Sequence, residues 1–106
     1  MPKYLVRATY TAEGAKGLIR DGGSKRRAVV EKAISGLGGK LETFYFAFGE
    51  DDVIIISDLP DAKAAISVSL AVGASGAVRC TTTPLITPEE MDAASKNTVG
   101  YTAPGA

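Results

Sequence analysis

Two arginines, Arg7 and Arg79, fall inside stretches whose alternating pattern marks them as β-strands. A guanidinium is a planar, permanently charged fork of donors suited to bidentate recognition of a carboxylate. It is also costly to bury without a partner. Alternation places Thr9 on the face of Arg7, and Thr81 and Thr83 on the face of Arg79. With Tyr45 these hydroxyls complete a set able to line a barrel and hold a small organic acid. Alternation alone does not say which face of the sheet they occupy. The competing reading pairs each arginine with a carboxylate such as Asp58, or extends it at the sheet edge.

A second group lies at residues 22–27. Gly23 and Ser24 stand at a helix start whose free N–H groups, together with Lys25, Arg26 and Arg27, suit an anion. The segment is not a P-loop, because the Gly-x-x-x-x-Gly-Lys-Ser/Thr spacing is absent and a helix precedes it. A solvated helix start after a flexible loop accounts for the same residues.

The remaining candidates are weaker. Glu50, Asp51 and Asp52 adjoin at a hairpin, where acids serve turn geometry. Glu89 and Glu90 follow Thr87-Pro88 in a capping-box pattern. The chain has one cysteine and no histidine, which removes Ser-His and Cys-His pairs, His-ligated haem and thiolate-rich zinc sites. Cys80 then has no base to activate it and fits better as a small apolar side chain. No metal and no cofactor is expected.

These residues depend on a short run of elements. Residues 3–10 alternate as a first strand. Thr11 caps a helix to about residue 21, Gly22-Gly23 breaks it, and Ser24 is the expected cap of a second helix. There Val30, Ala33, Ile34 and Leu37 repeat at helical spacing, and Gly38-Gly39 ends the run. Residues 40–48 form an aromatic-rich second strand, with Phe44, Phe46 and Phe48 on one face and Leu41 and Tyr45 on the other. Residues 53–59 form the third strand. Asp61 caps a helix to about residue 72, residues 77–83 form the fourth strand, and Thr87 starts a short terminal helix to about residue 96. Residues 97–106 are a tail or an arm lying on a partner. The order β-α-β-β-α-β plus a terminal helix predicts one α+β domain over residues 1–106, a ferredoxin-like sandwich with a four-stranded antiparallel sheet.

Two helices cover one face of such a sheet. The third strand is nevertheless apolar in both parities, with Val53 and Ile55 pointing one way and Ile54 and Ile56 the other. The uncovered face is therefore too apolar for water and calls for a second copy of the chain, unless the terminal helix folds back over it. Twelve acids balance twelve bases, so there is no concentrated positive field for nucleic acid or an anionic membrane surface. An RNA-binding sheet of the same strand order would need stacking aromatics on the first and third strands, and the third has none. No apolar run approaches the length of a membrane span and Met1-Pro2-Lys3 opens no signal peptide, so a cytoplasmic location is expected.

Several segments resemble the GYD-domain family: Pro2-Lys3-Tyr4-Leu5-Val6, Tyr10-Thr11-Ala12-Glu13-Gly14, Ser24-Lys25-Arg26-Arg27, Gly49-Glu50-Asp51-Asp52-Val53 and Leu59-Pro60-Asp61. The resemblance covers nearly the whole chain and implies a dimeric α/β barrel. Asp51 stands where the family's name implies a tyrosine, while Gly49 and Asp52 match. Related barrels include cofactor-free monooxygenases and isomerases, with sites between sheet and helices or within the barrel. The favoured expectation is a non-catalytic homodimer that binds a small organic anion or serves as an interaction module. The alternative is a cofactor-independent enzyme using Tyr45, Asp52 or an arginine on an enolisable or phenolic substrate.

Overall fold

A computed structural model describes all 106 residues. The elements run β1 (Lys3–Tyr10), α1 (Ala12–Asp21), α2 (Gly23–Gly36), β2 (Lys40–Phe46), β3 (Val53–Asp58), α3 (Ala62–Ala74), β4 (Val78–Leu85) and α4 (Pro88–Ser95). The four strands form one antiparallel sheet in the order β2-β3-β1-β4. This is the ferredoxin-like arrangement, with β1 and β3, which lead into α1 and α3, side by side at its centre and β2 and β4 at its edges.

Local signals explain most boundaries. Thr11, Asp61 and Thr87 each accept a hydrogen bond from the backbone N–H three residues on, and Glu90 reciprocates to Thr87 in a full capping box. Ser24 does not cap α2. Gly22, at φ 84°, fills that position and leaves Ser24 inside the helix. Its N–H still closes α1 on Leu18, so one residue serves both helix ends, and only glycine enters that region cheaply. β4 runs two residues further than expected, through Pro84. It is an edge strand, where a missing N–H breaks no ladder.

The register assigns the faces. Tyr4, Val6 and Ala8 on β1 stand beside Ser57, Ile55 and Val53 on β3, and beside Pro84, Thr82 and Cys80 on β4. This is the face beneath α2 and α3, and it holds the buried cluster that includes Tyr4, Ala8, Ile34, Val53, Ile55 and Leu59. Leu41 belongs to it as well, which corrects the simple alternation expected for β2. An irregularity between Leu41 and Thr43 shifts the register by one residue, so Leu41 turns inward with Phe44 and Phe46 instead of opposing them. Phe48 lies beyond the end of β2 and is fully exposed.

Asp52 ties the hairpin to β1. Its carboxylate accepts the Tyr10 backbone N–H at 2.9 Å, and its own N–H donates to the Ala8 carbonyl at 2.8 Å. The acid at this position thus serves the turn. At the opposite end of β1, Lys3 Nζ donates to Asp58 at 2.9 Å and to Glu42 at 3.0 Å, binding three strands together.

Residues 86–106 do not return over the sheet. All are exposed, α4 has no buried residue, and none of their hydrogen bonds reaches the body.

Two glycines of α1 give a contrast that tests this packing. A Cβ on Gly14 would collide with the Ala77 carbonyl, whereas one on Gly17 would meet only the tip of Arg20 at 3.9 Å. Gly14→Ala is expected to destabilise by about 1–3 kcal/mol through overpacking. Gly17→Ala is expected to stabilise by about 0.5–1 kcal/mol through helix propensity. Urea unfolding midpoints check both.

Candidate functional site

The second sheet face carries no helix. Lys3, Leu5, Arg7 and Thr9 of β1 stand on it beside Asp58, Ile56 and Ile54 of β3, and beside Leu85, Thr83, Thr81 and Arg79 of β4. Tyr45 and Thr43 of β2 pair with Ile54 and Ile56. The structure therefore answers what alternation could not: Arg7, Thr9, Tyr45, Arg79, Thr81 and Thr83 all share this one open face.

Their order across the strands is specific. One row reads Tyr45, Ile54, Arg7, Thr81 from β2 to β4, and the next reads Thr43, Ile56, Leu5, Thr83. Neighbours in such rows lie about 4.5–5.5 Å apart. Leu5, Ile54 and Ile56 make a half-buried apolar centre with Arg7 beside it, while hydroxyls occupy the outer strands. Arg79 pairs with Thr9 at the end of β1.

The charges are incompletely answered. Arg7 Nε lies 3.9 Å from Asp51, at the outer limit of an ion pair between partly exposed groups. Arg79 takes part in no ion pair. Asp58, the partner considered for the arginines, is held by Lys3 instead.

The structure divides the group at residues 22–27. Ser24 and Arg27 are exposed, and Lys25 Nζ lies 3.9 Å from Asp21 on the preceding helix. Gly23 leaves room for a ring: a Cβ there would stand 2.8 Å from Phe46. Arg26 turns the other way, into the space between helices and sheet.

The resemblance implied sites in such a space, but its lining residues were not singled out in the sequence. A cavity of about 50 Å³ lies between α2, α3 and the covered face, lined mainly by apolar side chains. Its polar lining includes Arg26, Ser57 and Thr82, and Ser57 is only 1% exposed. Thr82 is engaged with Ser69 at 2.6 Å. Tyr10 lies at the same end as Arg26. Burial pushes its phenol above the ordinary 10.0, and the nearby Arg26 guanidinium works against that rise. The signal for Tyr10 was its inward parity one residue before the Thr11 cap. Nothing local marked Ser57 or the inward turn of Arg26.

The GYD domain family model matches residues 4–95. The chain belongs to the GYD family. No curated protein matches it. Among solved structures, the crystal structure of MtbAldR is similar over 94% of this chain and 56% of that one, with a TM-score of 0.61 and 21% identity. This GYD chain thus spans little more than half the length of that neighbour, and at such identity the likeness concerns the fold. No helix is long and apolar enough to cross a membrane.

Two titrations follow from the geometry. The Tyr10 phenol, raised by burial, stays neutral when an unfolded chain would already ionise. The Lys3 ammonium is raised by its hydrogen bonds to Asp58 and Glu42. Both contributions are fully present below the unfolded values of 10.0 and 10.5 and are lost as pH rises through the higher native ones. Thermal melts across the alkaline range are expected to be flat up to about pH 10 and then to fall. Tyr10→Phe is expected to flatten part of that fall.

Proposed function

We propose that this GYD protein is a self-associating binding module, in which two copies bring their open sheet faces together and hold a small organic anion against Arg7 and Arg79. The observation that carries the reading is the single row of Tyr45, Ile54, Arg7 and Thr81 on a face without helices. The apolar centre favours covering the face, at about 25 cal/mol per Å² removed from water. The arginines oppose covering it empty, because an uncompensated buried charge costs several kcal/mol. Carboxylates held between the two copies, together with Asp51 beside Arg7, would answer both demands. A two-fold pairing presents each arginine twice, and Tyr45, Thr9, Thr81 and Thr83 supply hydroxyls for the ligand's remaining oxygens.

The molecule is extended, because residues 86–106 stand exposed beyond the body. Its accessible surface is 7483 Å², against about 5,600 Å² for a compact monomer of this mass. Its radius of gyration is 16.9 Å, against about 13 Å for a folded chain of this length.

One observation favours the catalytic alternative: Tyr10 and Arg26 converge at an enclosed apolar cavity. Magnitudes weigh against it. The cavity's 50 Å³ is small beside the ~150 Å³ that admits a benzene ring, so a phenolic substrate would have to force the helices apart. The buried phenol is also a poor base near neutral pH. The cofactor-independent reaction is therefore the second reading.

Native mass spectrometry of freshly purified protein tests the proposal. A dimer carrying a small acid is expected, with at least a ten-fold loss of bound acid in the Arg7→Ala, Arg79→Ala double variant. Retention of the acid in that variant, with loss in Arg26→Ala, would move the ligand to the cavity and support the alternative.

A further inference from the structure

Residues 86–106 are exposed throughout and bury no side chain against their own chain. α4 has eight residues and a complete capping box, yet buries nothing. Isolated helices shorter than about 12–15 residues are marginal in water, and a capping interaction adds only about 1 kcal/mol. A helix of this length needs a surface to lie on. The segment also displays large apolar groups, Ile86, Met91, Val99 and Tyr101, all exposed.

The body offers an apolar groove that nothing fills. It runs between α3 and β4 with a volume of about 530 Å³, and Tyr4, Ala65 and Pro84 are among its lining residues. Ile66 and Leu70 also line it while standing 58% and 68% exposed. Charge fits as well. The segment holds Glu89, Glu90 and Asp92 against Lys96, a net of −2, which leaves +2 on residues 1–85 of a balanced chain. Lys63 is the one charged residue within α3, opposite in sign to the acids of α4, and follows the Asp61 cap; the groove lining itself carries no charge.

We propose that residues 86–106 form an exchange arm that docks in the α3–β4 groove of a second copy, laying Met91 and its apolar neighbours against Ile66 and Leu70. The inference rests on the self-association proposed above and adds a second, separate surface to it. The arm leaves β4 at Leu85, which is still paired with Lys3, and every residue beyond it is exposed instead of lying in the groove of its own chain. In a two-fold pair each arm would reach the partner's groove, the low-cost route to dimers by exchange of identical elements.

Two measurements test it on the full chain. In a Cys80→Ala background, one preparation carries Met91→Cys and another Leu70→Cys, and the two are mixed under mild oxidation. An interchain disulfide well above that from a Lys32→Cys control is expected, and a yield equal to the control would overturn the arm. Sedimentation equilibrium of the Met91→Asp, Tyr101→Asp double variant is expected to show a dimer Kd at least ten-fold weaker than that of the unaltered chain. An unchanged dimer Kd would overturn the arm while leaving the sheet-face pairing intact. A chain that is monomeric before any substitution would overturn both.

Discussion

A four-stranded sheet has two faces to remove from water, and this chain supplies helices for one. Everything else of interest follows from that imbalance. Ile54 and Ile56 alternate with Val53, Ile55 and Ser57 along β3, so the most central part of the sheet presents large apolar groups to both sides. On the covered side α2 and α3 complete a core of only 10 buried residues. Such a core is thin, and the stability still available lies on the other side. Polar strands alone would have left that face content in water.

The open face is not uniformly apolar, and the mixture gives it meaning. A purely aliphatic face would pair with its copy and stop there. Arg7 in the middle of the sheet and Arg79 at its edge make an empty pairing expensive. Hydroxyls at the rim cost little when exposed and can bond a ligand when covered. Self-association and anion binding are therefore linked through the same residues in this reading, and the ligand would stabilise the pair by mass action.

The arrangement of elements was legible because each boundary carried its own chemistry. Thr11, Asp61 and Thr87 cap helices as their types require, and the glycines between α1 and α2 turn the chain. The same strand parity that put Thr9 with Arg7 placed all six candidate residues together once pairing fixed the face. What stayed hidden depended on neighbours in space. The slip between Leu41 and Thr43 arises in pairing with β3 and leaves no mark in a single strand. Gly22 displaced Ser24 as a cap because α1 and α2 meet at one residue. Arg26 lies in the basic run beside Lys25, yet the covered face draws it inward toward Tyr10 while Lys25 stays with Asp21. The terminal helix was legible to within a residue, but whether it would fold back over the sheet was not, since that depends on packing it does not make.

The central claim is that the open face is covered in solution, and methyl NMR with a soluble paramagnetic probe measures this most directly. If two copies pair through this face, the Ile54 and Ile56 methyls will be shielded from the probe nearly as well as those of Ile55, and Ile19 will be strongly attenuated. If Ile54 and Ile56 are attenuated as strongly as Ile19 at all concentrations, the face is open to water and the account is wrong.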